Sequence, residues 1–300
     1  MFDQNRVRVG AVPNAWSNDD LPALGGTTPY EQCLSEMALA GYAGTEMGSK
    51  YPQDPVVLKE ALDLRGLRAS GAWFSTFFAA EQAERQTYKR FKTMVPFYQA
   101  LGIEHVYAAE VGHAAHLQPV PVFANRPVFT DDQWKRMIKG LEQLGRIAAA
   151  EGLRIVYHHH TGTGVQTEQD VDRLMGDTKP EYLWLCLDTA HLAVGGGDPL
   201  AVARKFAERI CHVHLKSLRA AVLDRMHKEG LSFWDGLKEG IFTVPGDPEG
   251  TIDFKPILQT LSDANFEGWL VVEAEQDPAK ANPLKYFKMG REYLRQTAGI

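Results

Sequence analysis

Apolar positions along the chain follow two alternating periodicities. Short runs rich in β-branched and aromatic residues lie near residues 7–12, 43–47, 67–73, 103–108, 153–158, 182–187, 210–215 and 269–273. Between them, apolar residues recur at helical spacing, as in Cys33, Leu34, Met37 and Ala38. A repeated joint leads from helix to strand: a glycine, then an apolar residue opening the next run, at Gly41, Gly66, Gly102, Gly152 and Gly268. Glycine there supplies the left-handed conformation that ends a helix. Helix starts are equally legible. Thr28-Pro29 with Glu31 reads as a cap, a first-turn proline and a reciprocal glutamate, while Asp54-Pro55, Thr130 with Gln133, Thr167 with Asp170, and Asn282-Pro283 open four more.

Strict alternation of strand and helix implies parallel strands. Eight such units over 300 residues fit a closed (β/α)8 TIM barrel better than an open doubly wound sheet, and no G-x-G-x-x-G follows the first strand to favour the latter. No linker rich in Gly, Pro or Ser divides the chain, so residues 1–300 read as a single domain. Two connections are long, 109–129 after the fourth strand and 217–250 after the seventh, the second carrying Met226, Phe233 and Trp234. In a barrel both lie at the C-terminal ends of the strands, where active sites form.

Composition narrows the function classes. With 44% hydrophobic and 23% charged residues, the chain can build a core and is not disordered. Lysine plus arginine against aspartate plus glutamate gives 32 − 38 = −6, and no local basic run offsets it, so nucleic acid is not an expected partner. No apolar stretch is long enough to span a membrane, and the opening Met-Phe-Asp-Gln-Asn-Arg does not resemble a secretory signal. Three widely spaced cysteines, Cys33, Cys186 and Cys211, point to reduced thiols and a cytoplasmic location. A homo-oligomer is compatible with the sequence.

Reactive side chains gather at the strand ends. The fifth strand ends in His158-His159-His160, of which His158 and His160 share a face. The sixth ends at Asp188, followed by His191; the seventh places His212, His214 and Lys216 on one side; the eighth offers Glu273 and Glu275. The second ends at Glu46 and the fourth near Glu110. Any one of these alone reads as a hydrogen-bonded histidine or a solvated charge. Together, on neighbouring strands at one height, they would repel unless a divalent cation compensated them. Carboxylate and imidazole ligation suits Mn²⁺, Co²⁺, Mg²⁺ or catalytic Zn²⁺.

Leu187-Asp188-Thr189-Ala190-His191, His212-Val-His214-Leu-Lys216, Trp269-Leu-Val-Val-Glu273 and the loop from Val244 to Phe254 resemble the xylose-isomerase-like barrels of sugar isomerases, epimerases and dehydratases. A narrower likeness covers nearly the whole chain. Trp16-Ser-Asn18-Asp19-Asp20-Leu-Pro22, Glu31 through Gly41, Trp73-Phe-Ser-Thr76, Tyr157 through Thr163 and Val272 through Pro278 are similar to the inosose dehydratases of myo-inositol catabolism.

The resemblance implies loss of water from a cyclic polyol ketone, an inosose such as 2-keto-myo-inositol, to a cyclohexanedione. It also implies a cation, Mn²⁺ or Co²⁺ first, at Asp188, His214 and Glu273. His158 stands where most of the superfamily has a glutamate, so either His158 ligates or water fills that place. Lys216, His191, His160 and Glu46 are the candidates for proton transfer, with Lys216 a base if a nearby cation favours its neutral form. Asn14, Trp16 and Asn18 after the first strand are expected at the substrate, with Trp73, Glu110, His212 and Glu275. The alternatives are an isomerase or epimerase on the same barrel, a phosphodiesterase acting on damaged DNA, and a barrel that only binds its ligand.

Overall fold

Four of the five joint glycines reverse the chain as expected: Gly41, Gly66, Gly102 and Gly152 have φ between 65° and 87° in the computed structural model, which describes residues 2–300. Gly268 differs. The preceding helix, Phe254–Asp263, is followed by Asn265 in the left-handed region, and Gly268 instead opens a strand with φ 140°. A Cβ there would stand 1.9 Å from the Cys211 carbonyl oxygen of the neighbouring strand.

Helix caps form at Asp54, Thr130, Thr167 and Asn282, with full capping boxes at Thr130–Gln133 and Thr167–Asp170. Thr28 caps nothing: the helix begins at Tyr30 with Pro29 in the cap position, because the proline holds an extended conformation one residue beyond the expected start.

Eight parallel strands close into a barrel. They are β1 (Val7–Ala11), β2 (Gly44–Glu46), β3 (Arg68–Thr76), β4 (His105–Glu110), β5 (Arg154–His158), β6 (Trp184–Asp188), β7 (Ile210–Leu215) and β8 (Gly268–Val272). The order around the barrel is sequential, with β8 against β1. On β8, Leu270 and Val272 join the main core with Phe287 and Leu294, whereas Trp269 and Val271 pack with Val12 in a separate interior cluster. This alternation turns Glu273, two residues past Val271, towards the barrel mouth.

The long connections after β4 and β7 are built, not loose. The second contains helices Ala220–Glu229 and Phe233–Glu239 and an antiparallel ribbon of Ser217–Leu218 with Phe242–Thr243. Val122, Met226, Phe233, Leu237 and Phe242 form a small core of their own with Leu24 and Ala190 over the C-terminal face. The Val122 N–H donates to the Leu231 carbonyl and ties the two connections together. Among the described residues no helix is long and apolar enough to cross a membrane.

Gly268→Ala is expected to destabilise the protein by at least about 2 kcal/mol, lowering Tm by roughly 4–8 °C, because Ala must adopt a glycine conformation against a backbone oxygen. Thermal unfolding of the variant measures it; an unchanged Tm would contradict the β7–β8 packing.

Candidate active site and metal centre

β5 to β8 present their ends side by side. Asp188 pairs in register with His214, and the Glu273 N–H donates to the Leu215 carbonyl. His159 points out of the barrel, its Nε2 accepting from the Asp188 N–H at 3.3 Å. That leaves His158, Asp188, His214 and Glu273 facing inward with one donor atom each, all within 4.8 Å of one another. His158 Nε2 lies 3.1 Å from His214 Nδ1 and 3.4 Å from Asp188 Oδ2, and His214 Nδ1 lies 3.5 Å from Asp188 Oδ2 and 2.8 Å from Glu273 Oε2. Ligands about 2.0–2.1 Å from a tetrahedral ion stand roughly 3.3–3.4 Å apart. Asp188 Oδ2 and Glu273 Oε2 are buried and accept no well-directed hydrogen bond despite these close nitrogens.

Charge points the same way. Lys216 Nζ is 3.1 Å from each of Asp188, Glu273 and Glu275. One ammonium does not balance three carboxylates, and burial pushes the Glu275 carboxyl up to about 8; a divalent cation would relieve this crowding of acids. The donor set and the charge both fit such an ion, which His158, Asp188, His214 and Glu273 would hold.

A carboxylate behind the ligands fixes their tautomers. His214 Nε2 and His212 Nε2 both donate to Glu46 Oε1 at 2.7 Å, which turns the His214 Nδ1 lone pair towards the other three donors. Burial opposes ionisation of Glu46, but His214 and His212 outweigh it and hold the carboxyl well below its usual range. His158 has no such partner on Nδ1; its ring is positioned by Trp73, edge-on at 5.5 Å, and by His214.

Lys216 sits among acids: although burial works against its charge, Asp188, Glu273 and Glu275 raise its pKa and favour the ammonium form. One of its bonds runs to His191 Nε2 at 2.9 Å, and His191 Nδ1 meets Thr161 Oγ1 at 2.9 Å.

A cavity of about 180 Å³ opens over these groups. Asn14, Trp73, His160, His191 and Glu275 line it, as do Glu46, His158, His214 and Glu273. Lys216 lies beneath, fully buried. Larger clefts run between the outer helices and at the opposite barrel mouth, lined by Trp134 and Arg173 and by Arg68 and Gln99 respectively, away from this cluster.

Four residues expected at the substrate are elsewhere. Trp16 is packed on Phe287 and donates to Glu36, because its ring fills the space behind β1. Asn18 accepts from the N–H groups of Asp20 and Leu21 and so shapes the loop from within. Glu110 accepts from Thr76 Oγ1 and from the Phe78, Ala79 and Gly112 N–H groups, binding the ends of β3 and β4 together. His212 sits one layer below His214 against His105.

Three residues without an assigned role before do line or flank the cavity: Asp20, Tyr107 and, against His160 at 4.3 Å between ring centroids, His116. Asp20 stands in the polar string after β1 beside Asp19, which also borders the cavity but whose carboxylate is bound by the Ser49 N–H and hydroxyl. His116 lies in an aperiodic loop and Tyr107 in mid-strand, so neither carries a sequence signal.

A parallel barrel with inward His, Asp and Glu at adjacent strand ends defines a class, and a family model described as xylose isomerase-like TIM barrel matches residues 28–297. Curated inosose dehydratases from Geobacillus thermodenitrificans and Clostridium tetani are 48% and 46% identical to the chain, each alignment covering 100% of both proteins. The chain belongs to the inosose dehydratase family and is an enzyme, a dehydratase. Among solved structures, the IolI protein with a bound zinc atom superposes with TM-score 0.70 at 16% identity, covering 97% of this chain and 98% of that one. The probable 3-DHS dehydratase AsbF from Bacillus anthracis does so with TM-score 0.70 at 13% identity, over 96% and 98%. At those identities the likeness is one of fold.

Glu46→Gln is expected to weaken divalent-cation binding by about 10–100-fold, since it removes the charge that fixes His214. Calorimetric titration of chelator-treated protein reads this directly; unchanged affinity would show that Glu46 does not support the site.

Proposed function

We propose that the enzyme removes water from an inosose, 2-keto-myo-inositol, to give a trihydroxycyclohexanedione, with Mn²⁺ or Co²⁺ at His158, Asp188, His214 and Glu273. The observation that carries the reading is the convergence of those four donors, three of them lining a small cavity, in a chain alignable end to end with inosose dehydratases. A divalent cation bound there supplies Lewis-acid polarisation of the ketone.

The remaining work falls to the chain. Lys216 offsets part of the charge of Asp188, Glu273 and Glu275 and orients His191. Both His191 ring nitrogens are engaged, so it transmits position rather than taking a proton from the substrate. His160 is different: its Nδ1 faces the Thr161 carbonyl, which only accepts, so Nδ1 carries the hydrogen and Nε2 keeps a lone pair. We assign to His160 Nε2 the removal of the proton next to the ketone. Phe233 from the connection after β7 packs against His160, His191 and His116 and shields them from water. The three free, buried thiols support a cytoplasmic location.

The test is to strip the protein with chelator, restore single cations and supply 2-keto-myo-inositol. Ultraviolet absorbance of the dione is expected with Mn²⁺ or Co²⁺; silence under every cation overturns the reading, and an epimerised ketone would favour the isomerase alternative. In the same assay His160→Gln is expected to lower kcat by about 10²–10⁴-fold.

A further inference from the structure

Elimination of water needs a base for the C–H proton and an acid for the departing hydroxyl, which is otherwise a poor leaving group. Most polar groups around the cavity are already committed. Glu46 is bound by two imidazoles, Lys216 by three carboxylates, and His191 by Lys216 and Thr161. Glu275, whose carboxyl burial pushes up to about 8, is tied to Lys216 at 3.1 Å. Asp20 stands apart. Its carboxylate takes part in no side-chain hydrogen bond among the described residues, yet it lines the cavity and lies with one donor atom each of His160 and His116 inside 4.8 Å. The loop fixes its backbone: Asn18 Oδ1 receives the Asp20 and Leu21 N–H groups at 2.9 and 2.8 Å, while the Asp19 carboxylate, which also borders the cavity, is taken up by Ser49.

We propose that Asp20 is the general acid that protonates the departing hydroxyl. The assignment rests on the dehydratase reading of the substrate. His160 Nε2 takes the proton α to the ketone; the C–H electron pair becomes the new C–C double bond as the β C–O bond breaks; the Asp20 proton leaves with the hydroxyl as water. Passing the proton from His160 back to neighbouring Asp20 restores both groups, so the cycle is balanced without a co-reactant. Burial, with Asp19 beside it, pushes the Asp20 carboxyl up to about 6, so it holds its proton closer to neutral pH than a solvated aspartate does.

The experiment compares two substrates on the cation-loaded enzyme: 2-keto-myo-inositol, and its analogue with fluorine in place of the hydroxyl β to the ketone. Fluoride departs without a proton donor. Asp20→Asn is expected to lower kcat at least about 100-fold on the hydroxyl substrate, while fluoride release stays within about tenfold of wild type. Equal losses on both substrates, or none on either, would overturn the assignment, as would Glu275→Gln showing the selective pattern instead. Cation titration guards against the rival use of two imidazoles and a carboxylate: a second equivalent bound by wild type and lost in Asp20→Asn would make the cluster a metal site. Wild type silent towards both substrates under every cation would remove the dehydratase reading itself, and this assignment with it.

Discussion

Electron-pair donors gathered a few ångströms apart repel one another, and the rim of this barrel gathers four of them. His158, Asp188, His214 and Glu273 come from the ends of four successive strands and bring one donor atom each within 4.8 Å of one another, out of water. Desolvating even one carboxylate costs several kcal/mol unless a counter-charge is at hand. The counter-charges are therefore part of the architecture: an ammonium from the residue after β7 and a site shaped for a cation.

The backbone makes that convergence cheap to hold. Hydrogen bonds between parallel strands set Asp188 opposite His214, and a single residue of slip in β6 or β7 would turn one of the two out of the barrel. Asp188 is pinned again as the cap of the helix Thr189–Val194, where its Oδ1 accepts from the His191 N–H at 2.8 Å and leaves Oδ2 for the centre. Glu46 reaches across from β2 to hold His212 and His214 from behind. A site built on strand ends and locked from two sides has little freedom to relax, which suits a centre whose ligands must stay in place while a substrate comes and goes.

What the sequence made legible was whatever follows a period. The barrel strands, the helix caps and the inward parity of His158, His212, His214 and Glu273 all come from spacing that chemistry imposes locally. The misplacements come from contacts that spacing does not encode. Trp16 looked available because it follows β1, yet Phe287, far along the chain, claims its ring. Glu110 sits at a strand end like Glu46, but three backbone N–H groups from the turn after β3 and its own loop absorb its carboxylate. Asp19 and Asp20 are identical in type, adjacent and both at the cavity, and it is Ser49, distant in sequence, that occupies the carboxylate of one and not the other. His116 reaches the site through a loop tie, the Ala115 N–H to the Gly162 carbonyl, that no periodicity announces.

Histidine at position 158 acquires a meaning from the charge count. Asp188, Glu273 and Glu275 crowd three carboxyls around Lys216, burial pushing that of Glu275 up to about 8, and a divalent cation with Lys216 would supply the three positive charges that let all three ionise. A carboxylate at 158, as the wider superfamily pattern would have it, adds a fourth negative charge to a buried cluster with no further cation in reach. A neutral imidazole ligates without adding one. On this view Lys216, Glu275 and His158 are coupled choices: the carboxylate that pairs with the lysine is tolerated because the strand-five ligand is uncharged, and changing any one of the three alters the charge that the others must balance.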